Sequence, residues 1–168
     1  MAEYKRITVV NEKDEVLGYE HFFDAVEKGC IRRGSCIFIK DEKGRHLIQK
    51  RSRHISKPLK LDKAVGGHVD EGSTYEETAH KEAQEELGLT ELTLTTLASS
   101  HRSGEFFDAV YVATIPSDTV INFDPQEVDS VYWMTAEEVD SLTNTNPGIF
   151  TKNFIELWNT FHDRIIAS

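Results

Sequence analysis

The sequence predicts an α/β fold in which helices lie on either side of a mixed β-sheet. Three observations lead to this class. Short apolar segments recur along the chain, two pairs of them flank polar turns, and amphipathic helical patterns stand in the middle and at the end of the sequence. The chain has 168 residues and no internal repeat or linker, so we expect one domain with a hydrophobic core.

The first part of the chain contains two hairpin signals. The strands predicted for these hairpins are residues 7–10, 15–19, 35–40 and 45–50. The polar turns 11–14 and 41–44 separate the members of each pair. Between the hairpins, residues 22–28 fit a short helix that Gly29 ends.

The second half of the chain continues the alternation of strands and helices. We expect a strand around Leu92 and Leu94, and further strands over 108–115, with Val110 and Val112 on one face, and 128–134. The predicted loops and turns are residues 101–105, 116–126 and 144–148. Helices are predicted over 136–142, after the cap Thr135, and over 151–166, where the apolar stripe consists of Phe154, Trp158, Phe161 and Ile165.

The most informative stretch is residues 66–89, which reads as a loop opening into a helix. Ser73 and Thr74 are both suitable N-cap residues, and each has a glutamate three positions on. Gly88 is placed to end the helix. An apolar stripe with a four-residue period should face the core, and it consists of Tyr75, Ala79, Ala83 and Leu87.

Three glutamates of this helix fall close together. Glu82, Glu85 and Glu86 stand at i, i+3 and i+4, and the first and last of them border the apolar stripe. Like charges placed so closely repel one another, more so when they are partly buried, and a divalent cation would remove that cost. The alternative at this point is a solvated acidic helix face.

These residues resemble the Nudix signature, in which glycines and glutamates recur at fixed spacing across a loop and a helix. The positions that match in register are Gly67, Glu82, Glu85, Glu86, Gly88 and Leu89. Two positions depart from the signature, because Ser73 stands where a glutamate is expected and Lys81 stands where an arginine is expected. Lysine keeps the charge but loses the planar, bidentate grip of arginine on a carboxylate.

The resemblance implies a single Nudix-like α/β/α sandwich over residues 1–168. In it, residues 1–30 would form the N-terminal hairpin and short helix, 67–89 the Nudix-like box, and 151–166 the C-terminal helix. It also implies hydrolysis of a small-molecule diphosphate with Mg²⁺, or Mn²⁺ as a substitute. The expected metal ligands are Glu82, Glu85, Glu86 and Gly67, and Lys81 would orient a glutamate among the catalytic residues.

A basic stretch precedes the box. Eight of the nineteen Lys and Arg residues lie within 21 positions, from Lys43 to Lys63. This local charge suits a compact anionic ligand, although a solvated basic loop would look the same. The candidate substrate-binding residues are Arg51, Arg53, Gly66 and His68.

Composition limits the classes of partner. The net charge of −10 argues against binding to a nucleic acid polymer or to an anionic membrane surface. Two cysteines six positions apart, Cys30 and Cys36, indicate reduced thiols rather than a disulfide framework, so we expect a cytoplasmic protein. Homodimers are common in the Nudix family, and a homodimer is therefore one expectation for this chain.

A looser resemblance links the chain to isopentenyl-diphosphate isomerase. It includes the sequence AVGGHV and the pair Glu127 and Trp133. Gly66 stands where the isomerase needs a cysteine, and Arg32 stands where a metal-binding histidine is expected. The sequence therefore favours a hydrolase over the isomerase. A Nudix-like domain that binds a nucleotide without turnover, or with weak turnover, is the other alternative.

Glu127 is a further candidate catalytic residue. In several Nudix proteins a glutamate six positions before a tryptophan reaches back to the metal site, and Glu127 and Trp133 have this spacing. Such a glutamate could bind a metal or accept a proton from the attacking water. The alternative is an exposed acid in an acidic loop that also contains Asp124 and Asp129.

Overall fold

In a computed structural model that describes residues 5–168, nine strands form one mixed β-sheet. These strands are β1 (Arg6–Val10), β2 (Val16–His21), β3 (Ile31–Asp41), β4 (His46–Arg51), β5 (Leu61–Asp62), β6 (Val65–His68), β7 (Thr95–Ser103), β8 (Phe106–Ile115) and β9 (Val128–Met134). The central strand β3 pairs antiparallel with β1, β4 and β6 and parallel with β8. The predicted α/β class with a mixed sheet is confirmed. The start of the predicted N-terminal region, residues 1–4, lies outside the described residues.

Four α-helices accompany the sheet in the described part of the chain. They are α1 (Phe22–Glu27), α2 (Tyr75–Leu87), α3 (Ala136–Thr145) and α4 (Lys152–Ala167), with a 3-10 helix at Pro147–Ile149. Helix α2 begins after Thr74, whose hydroxyl accepts a hydrogen bond from the Glu77 backbone N–H in a capping box. Gly88 ends the helix with a positive φ of 69°, as its sequence position predicts.

The core has two layers, one on each face of the sheet. Ala79, Ala83 and Leu87 of α2 are fully buried against one face, and their small size allows the helix backbone to lie close to the strands. The predicted stripe of α4 packs on the other face. Adjacent residues of β3 alternate between the layers, since Ile37 contributes to the first and Phe38 to the second.

Several element boundaries differ from the prediction, among them those of β7 and α3. Strand β7 begins at Thr95, after Leu92 and Leu94. It ends at Ser103 and so includes the first three residues of the predicted loop 101–105. Register irregularities in its pairing with β8 break the simple alternation that a sequence pattern can detect. Helix α3 extends to Thr145, so the predicted turn at 144–148 is instead the helix end followed by the 3-10 helix.

Within residues 5–168, none of the helices combines the length and the apolar character that a membrane crossing requires.

Candidate active site

A cavity of about 590 Å³ opens where α2, β6 and α1 meet the loop between β4 and β5. Eight of the residues predicted to form the site line it, namely Arg51, Gly66, Gly67, His68, Glu82, Glu85, Glu86 and Glu127. Arg53 is exposed and does not line the cavity. Lys81 does not line the cavity, but its Nζ atom lies 3.8 Å from a carboxylate oxygen of Glu82 and of Glu85.

The backbone of β6 lies directly against the carboxylate of Glu82. A Cβ atom built at Gly67 would overlap the carboxyl end of the Glu82 side chain. Any larger residue at this position would therefore displace the Glu82 carboxylate from its present place. The approach places backbone atoms of β6 beside a carboxylate of α2.

Glu86 is the most enclosed of the three helix glutamates, with 4% of its surface exposed. The Nε2 amide of Gln49 donates a 2.6 Å hydrogen bond to its Oε2 atom. Burial and the neighbouring charges of Glu82 and Glu127 raise the pKa of Glu86 well above its ordinary value, and the Gln49 bond opposes the shift.

The other carboxylates experience the same crowding. Burial raises the pKa of Glu82 to about 7, with Glu85 and Glu127 adding to the shift and Lys81 opposing it. The pKa of Glu127 is also raised, through burial and the charges of Asp124 and Glu85. Glu85 and Glu127 are the more accessible carboxylates, and 48% of the Glu85 side chain is exposed.

This donor set fits a divalent cation. Partly buried carboxylates that repel one another lose that repulsion when a positive ion lies between them, and oxygen atoms are the ligands that Mg²⁺ prefers. Within residues 5–168, no three side chains of the His, Cys, Asp and Glu types already converge on one point. Mg²⁺ usually takes only one or two protein carboxylates and keeps several waters, so a looser arrangement is compatible with it.

Lys81 connects three carboxylates. Its Nζ atom lies 2.6 Å from Asp70 Oδ2, and 3.8 Å from both Glu82 Oε1 and Glu85 Oε2. The shortest contact is therefore to Asp70, a residue that the sequence analysis did not single out. Asp70, in the loop before α2, thus holds the Lys81 ammonium group near Glu82 and Glu85.

Basic side chains stand on the loop side of the cavity. Arg51 donates from Nε to the Ser56 carbonyl at 2.9 Å, and its Nη1 atom lies 3.4 Å from Asp62 Oδ2. Burial, with a smaller contribution from the charge of Lys63, lowers the pKa of Lys57. Lys63 is itself paired with Asp62, at 3.0 Å.

Gly66 and His68 face the side of β6 opposite to Glu82. A Cβ atom at Gly66 would lie 3.2 Å from Lys63 Cε and 3.9 Å from Cys36 Cβ. The His68 ring stands between Phe22 and Phe106, with centroid distances of 5.0 Å and 5.4 Å. Burial, together with the charge of Arg32, lowers the pKa of His68 to about 4, so the ring is neutral at pH 7.

Comparison with known proteins identifies the family. The NUDIX domain profile matches residues 31–154, which is most of the chain. The chain belongs to the NUDIX family. A Nudix hydrolase of Deinococcus radiodurans is 32% identical over 141 residues, which cover 80% of this chain and 81% of that protein. Homology of this kind indicates a pyrophosphohydrolase enzyme.

Two further comparisons concern the fold of the chain and its resemblance to isopentenyl-diphosphate isomerase. A crystal structure of a Deinococcus radiodurans protein, 31% identical, superposes with a TM-score of 0.79 and covers 93% of this chain and 98% of that one. The isopentenyl-diphosphate Delta-isomerase 2 of Photorhabdus laumondii is 25% identical over 162 residues, covering 91% of this chain and 90% of that protein. The Nudix fold predicted from the signature is thus confirmed.

Several polar residues of this Nudix cavity escaped the sequence analysis. They are Gln49, Lys57, Asp62, Lys63, Asp70 and Asn153. Gln49 carried no sequence signal, because β4 has the sequence HLIQKR, in which polar residues outnumber apolar ones. Lys57 and Lys63 belonged to the basic stretch, but a sequence does not show which members of a loop turn inward.

Proposed function

We propose that this Nudix protein is a divalent-metal-dependent hydrolase that cleaves the diphosphate linkage of a nucleoside diphosphate derivative or a similar small molecule. The observation that carries the proposal is that side chains of both charges line one cavity. Glu82, Glu86 and Glu127 are among its acidic residues, and Arg51 and Lys57 are among its basic residues. A metal–diphosphate pair complements both.

The metal proposed for this site is Mg²⁺, with Mn²⁺ as a substitute. Glu82, Glu85 and Glu86 would hold it, with the backbone of Gly67 beside them. When bound, such an ion neutralises phosphate charge and polarises the phosphorus under attack. Lys81 would act as a positioning residue, because its ammonium group lies 3.8 Å from both Glu82 and Glu85 and attracts their carboxylates.

The substrate phosphates would contact the basic side of the cavity. Arg51 and Lys57 are the proposed contacts, with Gly66 allowing close approach of the backbone and His68 facing the substrate. Lys57 lines the cavity and Arg53 does not, so the phosphate-binding proposal passes from Arg53 to Lys57. Lys63 adds a buried positive charge, which its pairing with Asp62 largely balances.

Glu127 is the proposed proton acceptor. Its raised pKa brings it closer to neutral pH than an ordinary glutamate, which suits a group that takes a proton from attacking water. It lies near enough to Glu82 and Glu86 to raise the pKa of both carboxyls. The same position would also allow it to bind the metal.

A direct assay tests the proposal. Purified protein is incubated with a panel of diphosphate compounds with Mg²⁺, with Mn²⁺ and with a chelator, and product release is measured. We expect turnover that the chelator abolishes and that Glu85→Gln reduces by at least about a hundredfold. Turnover unaffected by the chelator contradicts the proposal. Metal-dependent binding of a nucleotide without turnover would instead support the binding-domain alternative.

A further inference from the structure

A buried serine stands where β4 leads into the loop between β4 and β5. Ser52 follows the last residue of β4, and only 1% of its surface is exposed. Its hydroxyl donates a 2.7 Å hydrogen bond to the Gln126 carbonyl and accepts a 2.9 Å bond from the backbone N–H of His54, which lines the cavity. The donor and an acceptor position of the hydroxyl are both used, so the side chain is held in one orientation.

The backbone of Ser52 reaches the same distant segment. Its N–H donates a 3.0 Å hydrogen bond to the Glu127 carbonyl. The Gln126 carbonyl belongs to the peptide unit before the Glu127 Cα atom, and the Glu127 carbonyl belongs to the unit after it. Because each peptide unit is planar, holding both of them restricts φ and ψ of Glu127. Ser52 therefore contacts the two units that determine the direction in which the Glu127 side chain leaves the backbone.

Helix α2 holds this segment from its other end. The Asp124 N–H donates to the Glu86 carbonyl at 3.1 Å, and Asp124 accepts bonds from the N–H groups of Gln126 and Glu127 at 2.9 Å and 3.0 Å. Residues 124–127 thus connect the helix that carries the three glutamates to the start of the loop that carries Lys57. The Ser52 hydroxyl belongs to a side chain outside residues 124–127, so a substitution can remove its bond without changing that segment.

We propose that Ser52 is a positioning residue that aims the Glu127 carboxylate toward the candidate metal site and keeps it at a fixed distance from the phosphate-binding loop. The inference rests on the proposed hydrolase function and on Glu127 as its proton acceptor. Ser52 follows Arg51, a proposed phosphate contact, and its bonds tie this part of the loop to the Glu127 segment. The phosphate contacts and the proton acceptor thus share one anchor, and a misplacement of about 1 Å between such groups is enough to slow a reaction.

Ser52→Ala removes the hydroxyl and leaves the backbone bond to Glu127 in place. We expect kcat to fall about tenfold, because the carboxylate loses its alignment, while KM and the Mg²⁺ concentration for half-maximal activity change less than about twofold. Ser130→Ala is the matched control, because Ser130 lies three positions after Glu127 and does not line the cavity. The Ser130 hydroxyl lies 3.0 Å from both Asp129 Oδ2 and Tyr132 Oη, so its removal should keep the wild-type rate.

A double-mutant cycle separates positioning from a general loss of stability. If Ser52 acts through Glu127, Ser52→Ala should lower kcat about tenfold in wild type and less than about twofold in the Glu127→Gln background. An equal loss in both backgrounds assigns Ser52 to stability alone and overturns the inference. If Ser52→Ala does not fold, Ser52→Cys replaces it in the same cycle, since a thiol is nearly as small and is a weak hydrogen-bond donor.

Failure of the inference and failure of the proposed function give different results. If Glu127→Gln or Ser52→Ala leaves kcat unchanged, the inference is wrong and the hydrolase function stands. If wild type hydrolyses none of the diphosphate compounds, the proposed function fails, and crystal structures of wild type and Ser52→Ala decide the positioning role. A Glu127 carboxylate displaced by about 1 Å or more, with α2 unmoved, supports that role, and any other result overturns it.

Discussion

Gln49 and Glu86 are joined by a 2.6 Å hydrogen bond that links β4 to α2 beneath the candidate metal site. The same Nε2 group of Gln49 donates to the Ala64 carbonyl at 2.9 Å, so both amide hydrogens have fixed acceptors. This double anchorage holds Oε2 of Glu86 in place and leaves Oε1 free to turn toward the cavity. A glutamine side chain thus sets the orientation of the most buried carboxylate.

Replacing this glutamine should weaken metal binding without removing a ligand. In Gln49→Leu, Glu86 loses its donor and can rotate, and we expect the Mg²⁺ concentration for half-maximal activity to rise about tenfold or more. Gln84→Leu on the exposed face of α2 is the control, and it should leave the metal dependence unchanged. An unaltered magnesium titration in Gln49→Leu would mean that the bond serves packing only.

The sequence anticipated the elements that local chemistry determines. Helix α2 has the predicted capping, C-terminal glycine and apolar stripe, because each of these depends on residues only a few positions apart. The predicted bounds of β9, residues 128–134, are those of the structure. The helical spacing of the three glutamates also predicted a group of carboxylates that the structure places in the cavity, since helix geometry alone brings them together.

The remaining features depend on contacts between distant parts of the chain. Gln49 meets Glu86 across 37 positions, and Lys63 meets Asn153 across 90. No local pattern indicates which polar side chains a sheet will place side by side. The bounds of β7 also differ from the prediction. Its pairing with β8 contains register irregularities, and these depend on the partner strand rather than on a local sequence pattern.

The crowded carboxylates predict that stability depends on both pH and metal. The pKa of Glu82 is raised to about 7 and that of Glu86 well above its ordinary value. In metal-free protein, the folded state therefore holds more protons than the unfolded state from about pH 4.5 upward, and the free energy of unfolding falls as pH rises through about 7. Mg²⁺ should stabilise the protein more at pH 8 than at about pH 5, because it binds the ionised carboxylates.

Glu86→Gln tests this account by mimicking the protonated side chain. Without metal, we expect the loss of stability between about pH 5 and pH 8 to shrink, because glutamine has no proton to lose as the pH rises. The stabilisation by Mg²⁺ should shrink as well. Denaturant unfolding at both pH values, with Mg²⁺ and with chelator, gives both quantities. Glu91→Gln, at an exposed site outside the cavity, is the control, and an equal effect there would refute the account.

Lys81 offers a test of orientation at the second position that departs from the Nudix signature. Its Nζ atom bonds Asp70 and stands 3.8 Å from Glu82 and Glu85. An arginine could bond Asp70 and a glutamate at once through its fork, so we expect Lys81→Arg to raise kcat severalfold. Lys81→Met, which keeps the length and removes the charge, should lower kcat. Equal rates in all three proteins would restrict Lys81 to a solvent-facing role.

Isomerase activity should be absent. Under the resemblance to isopentenyl-diphosphate isomerase, Gly66 occupies the position of the proton-transferring cysteine and has no side chain to exchange a proton. The neighbouring thiol of Cys36 is a poor replacement, because burial raises its pKa well above the usual range and keeps it protonated. Isopentenyl diphosphate incubated with the protein and Mg²⁺ in deuterated water should show no allylic product by NMR. Any isomerisation above the no-enzyme control would overturn this expectation.

The last prediction concerns how Glu127 acts. It follows Asp124, to whose carbonyl its backbone N–H donates a 3.0 Å hydrogen bond, and this turn directs it toward the cavity. If Glu127 is the general base, Glu127→Gln should lower kcat by about a hundredfold or more, abolish the acidic limb of the pH–rate profile and leave metal affinity intact. If Glu127 is instead a metal ligand, the variant should bind the metal more weakly, and excess Mg²⁺ should partly restore the rate. The matched control is Asp129→Asn, at an exposed position two residues after Glu127. Changes in both quantities of less than about twofold, or roughly 0.4 kcal/mol, would remove Glu127 from the site and leave Glu82, with its pKa of about 7, as the next candidate for the base.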